Sequence, residues 1–395
     1  MTTHPGRVTA TALVLACGLA AGCGSRPGRE PATGSGPALA AAPTRAAAAA
    51  APAPLTATAT GPAGAGWVVV PMGGPAAQED QFWELFTRPS AAAHWRLATP
   101  AGVADNGGLA VTGTSAALVT GFRPSQDLTF SPLAVTTDDG ATWSPAGPVS
   151  PGLAGGPGSL AAGPDGALVA LTSGGRAVQG SPSGAGWTTL TSAGQLGATR
   201  AGAACAPSSL TAAAFSGSGA PVLATSCRRP GVVGIFTRTG SGWTGTGPVV
   251  PPALAGADFG VLRLAAAGSG LVALLRAVSA AGTSLVAAWP AGPGRWRWSA
   301  PLRTGTRALR STAVGPGGAL AVLLSGGRAD VLAGPGARWQ ALPPAPAPAA
   351  ALTIGPGGRL DAITADGDRF ADWQLVAGWR RVQTLTVAIP YGSSG

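Results

Sequence analysis

Seven times between Leu55 and Ile389 the chain runs the same course, and this recurrence limits the possible folds more than any other feature. A short apolar run meets a Gly-rich turn, a second apolar run and a third strand-like stretch follow, and a Trp closes the unit. The first turns of the seven units are read at 61–64, 105–108, 163–166, 216–219, 267–270, 315–318 and 355–358. The closing tryptophans are Trp95, Trp143, Trp187, Trp243, Trp296, Trp339 and Trp379, separated by 48, 44, 56, 53, 43 and 40 residues. A self-similar period of about 40–50 residues with four strands per unit predicts a β-propeller. The expected fold class is therefore all-β, a single propeller of seven four-stranded blades.

The sixth unit shows the pattern most clearly, with strands predicted at 310–314, 319–324, 328–333 and 338–342; the seventh repeats it at 352–354, 359–364, 369–376 and 379–385. Short runs broken by Gly or Pro read as antiparallel hairpins, and no stretch of 3.6-residue period is long enough for a substantial helix. Runs such as Leu168-Val169-Ala170-Leu171 and Leu320-Ala321-Val322-Leu323-Leu324 are apolar on both faces. Burial on both faces is what stacking one blade between two others demands, and it accounts for a mean hydropathy of +0.29.

The chain opens as an export signal. Arg7 supplies a positive start, Val8–Ala16 is apolar but too short to span a bilayer, and Leu19-Ala20-Ala21-Gly22-Cys23 follows. Small residues directly before a Cys resemble a bacterial lipobox. That resemblance implies cleavage after residue 22 and diacylglycerol on Cys23. A rival cleavage before Cys17 leaves a very short apolar region, and the alternative is an ordinary secretory signal with an incidental Cys. Residues 1–22 are thus assigned to a lipoprotein signal peptide and 23–54 to a lipidated, Ala/Pro-rich disordered tether, with a run of six alanines at 46–51. As a flexible coil such a tether spans about 30 Å, enough to hold a globular head clear of a membrane. The propeller is assigned to 55–389 and a tail to 390–395. No apolar run of 18 residues follows Cys23, so the head is expected to be soluble, on the outer face of the cytoplasmic membrane.

Of the four cysteines, Cys17 leaves with the signal and Cys23 takes the lipid. Cys205 and Cys227 flank the fourth-unit hairpin 210–215/220–227. Pairing about its turn sets Cys227 opposite roughly residue 208, so a disulfide is in reach and expected outside the cytosol. Two buried free thiols are the alternative.

The net charge is +10 without a single Lys. Ala, Gly, Pro and Arg dominate, as in proteins of GC-rich genomes, so part of the Arg excess reflects codon usage. The arginines are scattered apart from Arg228-Arg229 and Arg380-Arg381, which predicts weak attraction to anionic wall polymers or head groups. No basic stripe with aromatic platforms is present, so no nucleic-acid partner is expected. The alternation Arg295-Trp296-Arg297-Trp298 places the tryptophans on one strand face and the arginines on the other.

One unit carries a motif sharp enough to compare. Thr136-Thr137-Asp138-Asp139-Gly140-Ala141-Thr142-Trp143 matches the Asp-box S/T-x-D-x-G-x-T-W of bacterial neuraminidases at every defined position. The chain thus resembles the sialidase-like, BNR-repeat propellers, over roughly residues 55–389. The resemblance implies that Thr136, Asp138, Gly140, Thr142 and Trp143 form a structural turn between the third and fourth strands of a blade. Eroded echoes keep only the Gly and the Trp.

A sialidase also implies a Tyr nucleophile backed by Glu, an acid/base Asp and three arginines clamping a carboxylate. Here the only Tyr, Tyr391, lies in the tail, the three Glu residues are Glu30, Glu79 and Glu84, and Phe122-Arg123-Pro124 is a ragged echo of the family's Phe-Arg-Ile-Pro motif. His94 is the sole histidine after the signal, no P-loop occurs, and the expectation is no catalytic residue and no cofactor. The best polar constellation left is Asp361, Asp366, Asp368 and Asp372; Asp366 and Asp368 are weak candidates for Ca²⁺ but read better as a hairpin turn. The loop Gln78-Glu79-Asp80-Gln81 is a second polar insertion, of a kind that more often binds partners than catalyses. The function expected is a lipid-anchored, non-catalytic module that binds an unidentified protein or an envelope glycan. A degenerate or unrecognised glycan-processing enzyme is the alternative, and a scaffold for an exported assembly a third.

Overall fold

A computed structural model describes residues 58–60, 65–73, 81–100, 108–113, 118–122, 130–149 and 152–388, the last span without 157, 164, 182–185, 268–269 and 293. All belong to one compact unit, Ala50–Gly395. Cys23, the tether, the 78–80 part of the polar loop, Arg123-Pro124 and Tyr391 lie outside the described residues.

The strands form seven antiparallel meanders, each in plain sequence order. Blade 1 comprises β1 (Thr58–Thr60), β2 (Gly66–Gly73), β3 (Gln81–Arg88) and β4 (Arg96–Leu97); blade 2 comprises β5 (Gly108–Gly113), β6 (Leu118–Phe122), β7 (Ser131–Thr136) and β8 (Ser144–Val149). Blade 3 holds β9 (Leu160–Ala162), β10 (Leu168–Leu171), β11 (Arg176–Gly180) and β12 (Thr188–Ser192). Blade 4 holds β13 (Pro207–Phe215), β14 (Pro221–Cys227), β15 (Gly234–Thr239) and β16 (Gly242–Gly245). Blade 5 runs β17 (Asp258–Ala267), β18 (Gly270–Ser279), β19 (Gly282–Pro290) and β20 (Trp296–Trp298), followed by β21 (Leu302–Arg303), which also pairs with β19. Blade 6 is β22 (Leu309–Val314), β23 (Leu320–Leu324), β24 (Ala329–Leu332) and β25 (Gln340–Ala341). Blade 7 is β26 (Ala349–Ile354), β27 (Leu360–Asp366), β28 (Arg369–Leu375) and β29 (Trp379–Thr386).

The architecture is a seven-bladed β-propeller, as the repeat predicts. β20 and β21 are two halves of one outer strand, broken at Ser299-Ala300-Pro301, where Pro301 has no N–H to give and the Ser299 hydroxyl accepts from Ala287 N at 2.9 Å. In an antiparallel meander the turns after the first and third strands emerge on one face of the ring. The turns after the second strand and the blade-to-blade connections emerge on the other.

The core explains why the strands are apolar on both sides. Among the described residues seven hydrophobic clusters are buried, one at each blade interface, including the one between blades 7 and 1. Alternation along single strands feeds them: Leu168 and Ala170 pack toward blade 2, Val169 and Leu171 toward blade 4. Likewise Leu320, Val322 and Leu324 face blade 5, and Ala321 and Leu323 face blade 7.

The closing tryptophans act across interfaces. Trp143, Trp296, Trp339 and Trp379 each donate the indole N–H, at 2.8–3.0 Å, to a carbonyl of the preceding blade: Ala98, Thr246 and Pro343 just after its outer strand, and Ala300 in the break of the blade 5 outer strand. Trp298 does the same to Val249. A Trp is suited to this because its rings fill the interface while its single donor finds a partner.

One local expectation needs correction. In the second unit the Gly-rich stretch 105–108 does not separate the first two strands, because β5 begins at Gly108 and ends at Gly113 and β6 begins at Leu118. The Gly-based pattern favoured 105–108, which carries two glycines, over 114–117, which reads Thr-Ser-Ala-Ala. Two short helices, α1 (Ala193–Gly197) and α2 (Arg200–Ala203), join blades 3 and 4. They are too short for a periodic signal and are held by N-caps: Ser192 accepts from Gln195 N and Thr199 from Gly202 N. Cys227 pairs with Pro207, one residue from the expected position. The Cys205–Cys227 disulfide is formed, with Cα atoms 4.8 Å apart.

Candidate functional site

The seam where the ring closes holds the densest buried chemistry among the described residues. Among the described residues closure uses no exchanged strand. Gly73 N donates to Gly367 O at 2.8 Å, and Phe86 of blade 1 stacks on Phe370 of blade 7 with ring centroids 3.9 Å apart. Beside this pair Arg88, wholly buried at the end of β3, lies 2.7 Å from Asp361 Oδ2 and 3.8 Å from Asp372 Oδ2. Arg359 reaches the same carboxylates from the half-buried side, at 2.9 Å to Asp361 Oδ1 and 3.9 Å to Asp372 Oδ2. Trp95 lies under the Arg88 guanidinium at 4.7 Å and donates its indole N–H to Asp372 at 3.0 Å. Gln383 clasps the Trp95 backbone, accepting from its N at 2.8 Å and donating to its O at 2.7 Å.

Two charges of each sign are therefore locked in the seam, but not evenly. Asp361 takes the close ion pairs, whereas Asp372 keeps longer ones and its Oδ1 makes no hydrogen bond. Burial, then the neighbouring Asp361 carboxylate, pushes the Asp372 carboxyl up to about 6. Burial likewise raises Glu84, opposed by a hydrogen bond from the Thr99 hydroxyl. These acids face packed protein, and what the arrangement does chemically is tie the first blade to the last.

The four aspartates grouped from sequence thus separate. Asp361 and Asp372 are strand residues in the seam, while Asp366 and Asp368 are exposed and flank Gly367 in the β27–β28 turn, where Gly367 has φ 56°. No group of three or more metal-ligating side chains occurs among the described residues.

The Asp-box turn joins β7 to β8. Asp138 accepts from Thr142 N at 2.8 Å and from the Thr142 hydroxyl at 2.6 Å, and the Thr136 hydroxyl donates to it at 2.7 Å. Thr136 Oγ1 in turn accepts from Gly140 N at 2.9 Å. These bonds, those from Thr142 first, hold the Asp138 carboxyl well below the usual carboxylate range. Gly140 has φ +84°, and a Cβ there would lie 2.7 Å from the Ala98 β-carbon. The turn is pressed against blade 1, where Thr87 and Arg96 donate to Asp139 O at 3.0 and 2.9 Å. Asp138 and Thr142 are exposed and Trp143 is half-buried, so the motif is less deeply enclosed than the sequence implied.

His94 is exposed beside buried Trp95. Trp296 and Trp298 are half-buried against the blade 4/5 cluster, with Arg297 exposed between them. Sequence reasoning missed Arg88 and Arg359; the only available signal was a charge beside strands that are otherwise apolar.

No protein-family model matches the chain, and no curated protein matches it significantly. Solved structures do. A presumptive 6-phosphogluconolactonase from Bacteroides fragilis superposes with a TM-score of 0.51 at 12% identity, covering 82% of this chain and 96% of that one. YCF48 bound to D1 peptide gives 0.44 at 15% identity, covering 86% and 98%. TolB from Acinetobacter baumannii gives 0.41 at 11% identity, covering 82% of this chain and 63% of that one, so the chain spans less than two thirds of TolB. At such identities the likeness is one of fold alone.

Proposed function

We propose that this is an exported propeller of the sialidase-like, BNR-repeat kind, anchored by a lipid on Cys23, that binds a protein or cell-envelope glycan without catalysing a reaction. One observation carries the reading. The acids of the closing seam, Asp361 and Asp372, are taken up by Arg88 and Arg359, whereas a set of exposed guanidiniums is left without ion-pair partners among the described residues. Internal consumption of the acids supports binding over hydrolysis, which needs two carboxyls facing the substrate. The alternative of a glycan-processing enzyme would draw on Asp372, whose carboxyl is tuned toward neutrality but is enclosed by Trp95, Arg88 and Arg359.

The test is capture of envelope components by the full chain, run beside a glycan array and a glycosidase screen. Selective retention of one protein or glycan without turnover is the expected result; turnover of any glycan overturns the reading. For the anchor, wild-type protein should partition into detergent and Cys23→Ala into the aqueous phase. Persistent detergent partitioning of Cys23→Ala removes the lipid from the proposal.

A further inference from the structure

The connection from blade 5 to blade 6 has to cross from the rim of the ring to its axis, because it joins an outermost strand to an innermost one. It carries Arg303, Arg307 and Arg310, all exposed and none in an ion pair among the described residues. The break at Pro301 lets the outer strand resume as β21, whose pairing Arg303↔Ser284 brings Arg303 to the face of the blade-to-blade connections. At the inner end the β22–β23 register shifts between Leu309 and Ser311, which leaves Arg310 outside the ladder, a bulge that redirects its side chain. Arg328, in the neighbouring β23–β24 turn, braces the row from beside it and donates through Nη1 to Arg303 O at 3.3 Å.

The backbone beneath these side chains is fixed. Thr304 is buried and its N donates to Thr283 O at 3.2 Å; Arg307 N donates to Thr304 O at 3.2 Å. Ser325 N donates to Ala308 O at 2.8 Å and Ala308 N to Ser325 Oγ at 3.1 Å, tying the connection to the β23–β24 turn. Asp330 is the acid within the row, and it is buried and already held by Arg328, at 2.8 Å from Nε and 3.3 Å from Nη2. Asp258, Asp366 and Asp368 are the other exposed acids described on this face, and they belong to blades 5 and 7.

We infer that Arg303, Arg307 and Arg310, with Arg328 bracing the row from beside it, form a preorganised radial row that binds an acidic, extended peptide segment. The inference deepens the binding-module reading and rests on it. Guanidinium forks match carboxylates in a planar, two-point manner, and Arg328 already holds the Asp330 carboxylate so. Length selects a short peptide. The row crosses three inter-strand spacings of about 4.8 Å, so about 14 Å, which an extended segment covers in four or five residues. A long polyanion would engage only a few of its charges there.

The test titrates a fluorescein-labelled hexaglutamate peptide with the full chain, followed by anisotropy at 50 and 200 mM NaCl. The triple variant Arg303→Ala/Arg307→Ala/Arg310→Ala should bind at least tenfold more weakly. A charge-matched control, Arg297→Ala/Arg338→Ala/Arg380→Ala, removes exposed arginines from the rim and opposite face and should change binding less than twofold. Replacement of the first three by Lys keeps the charge and loses the forks, and should still weaken binding at least threefold. Equal loss in both Ala triples, full retention in the Lys triple, or no binding by the parent overturns the inference. So does inorganic polyphosphate, or a vesicle of anionic lipid, that competes tenfold better than hexaglutamate per charge. A parent that captures an envelope component yet ignores hexaglutamate sinks this inference alone. A parent that binds hexaglutamate but captures nothing sinks the binding-module reading alone.

Discussion

Asp372 offers the sharpest test of how the ring is closed. Its carboxyl is buried between the first and last blades and pushed up to about 6, against about 3.9 for an unfolded chain. A carboxyl whose folded value is raised takes up its proton more readily in the native state. Between pH 4 and 6 the folded protein therefore binds more protons than the unfolded one, and stability falls as pH rises through that window. About two pKa units correspond to roughly 3 kcal/mol, or a melting shift of about 4 °C for a domain of this size. Asp372→Asn mimics the protonated form and keeps an acceptor for the Trp95 indole. At pH 7.5 it should melt about 4 °C above the wild type, and at pH 4 the two should coincide. Glu84→Gln is the control, because Glu84 is also raised by burial but lies outside the ion cluster; in that variant the Asp372 component of the profile should persist. Asp138 acts in the opposite sense in a separate window, since its depressed carboxyl contributes stability that is lost only as pH falls below about 4. Parallel melting profiles for wild type and Asp372→Asn from pH 4 to 8 would refute the reasoning.

Three further outcomes follow from the contacts. Trp143→Ala removes a half-buried indole and its bond to Ala98 O, and denaturant titration should show a loss of about 2 kcal/mol, less than for a fully buried Trp. Gly140→Ala puts a Cβ at φ +84° and 2.7 Å from Ala98, and should cost more than 1 kcal/mol by the same titration; a neutral effect would mean that the Asp-box turn is not pressed against blade 1. Reducing Cys205–Cys227 reopens a loop of sequence separation 22, which should lower stability by about 3 kcal/mol, read as a shift in the denaturation midpoint with and without reductant.

Much of the fold was legible because a propeller repeats one local problem. Each hairpin needs Gly at its turn, and each strand between two blades needs apolar residues on both sides. Strands β22–β29 accordingly fall within a few residues of their expected places. The disulfide was legible for the same reason, since a hairpin register places both cysteines at one end. What the spacing missed was local and ambiguous, as at 105–108, or too short to be periodic, as in the capped helices after Ser192 and Thr199.

The candidate sites were another matter. Arg88 and Asp361 are 273 residues apart and meet only because blade 7 closes on blade 1, so nothing in their neighbourhoods in the chain announces the pair. Asp361 and Asp366 are near neighbours in sequence, yet one is sealed in the seam and the other is exposed in a turn. Arg303, Arg310 and Arg328 look scattered along the chain until a broken outer strand, a bulge and a turn set them side by side. Local composition determined the strands and how many blades they make. The closing of the ring decided which charges were buried together and which were left facing outward.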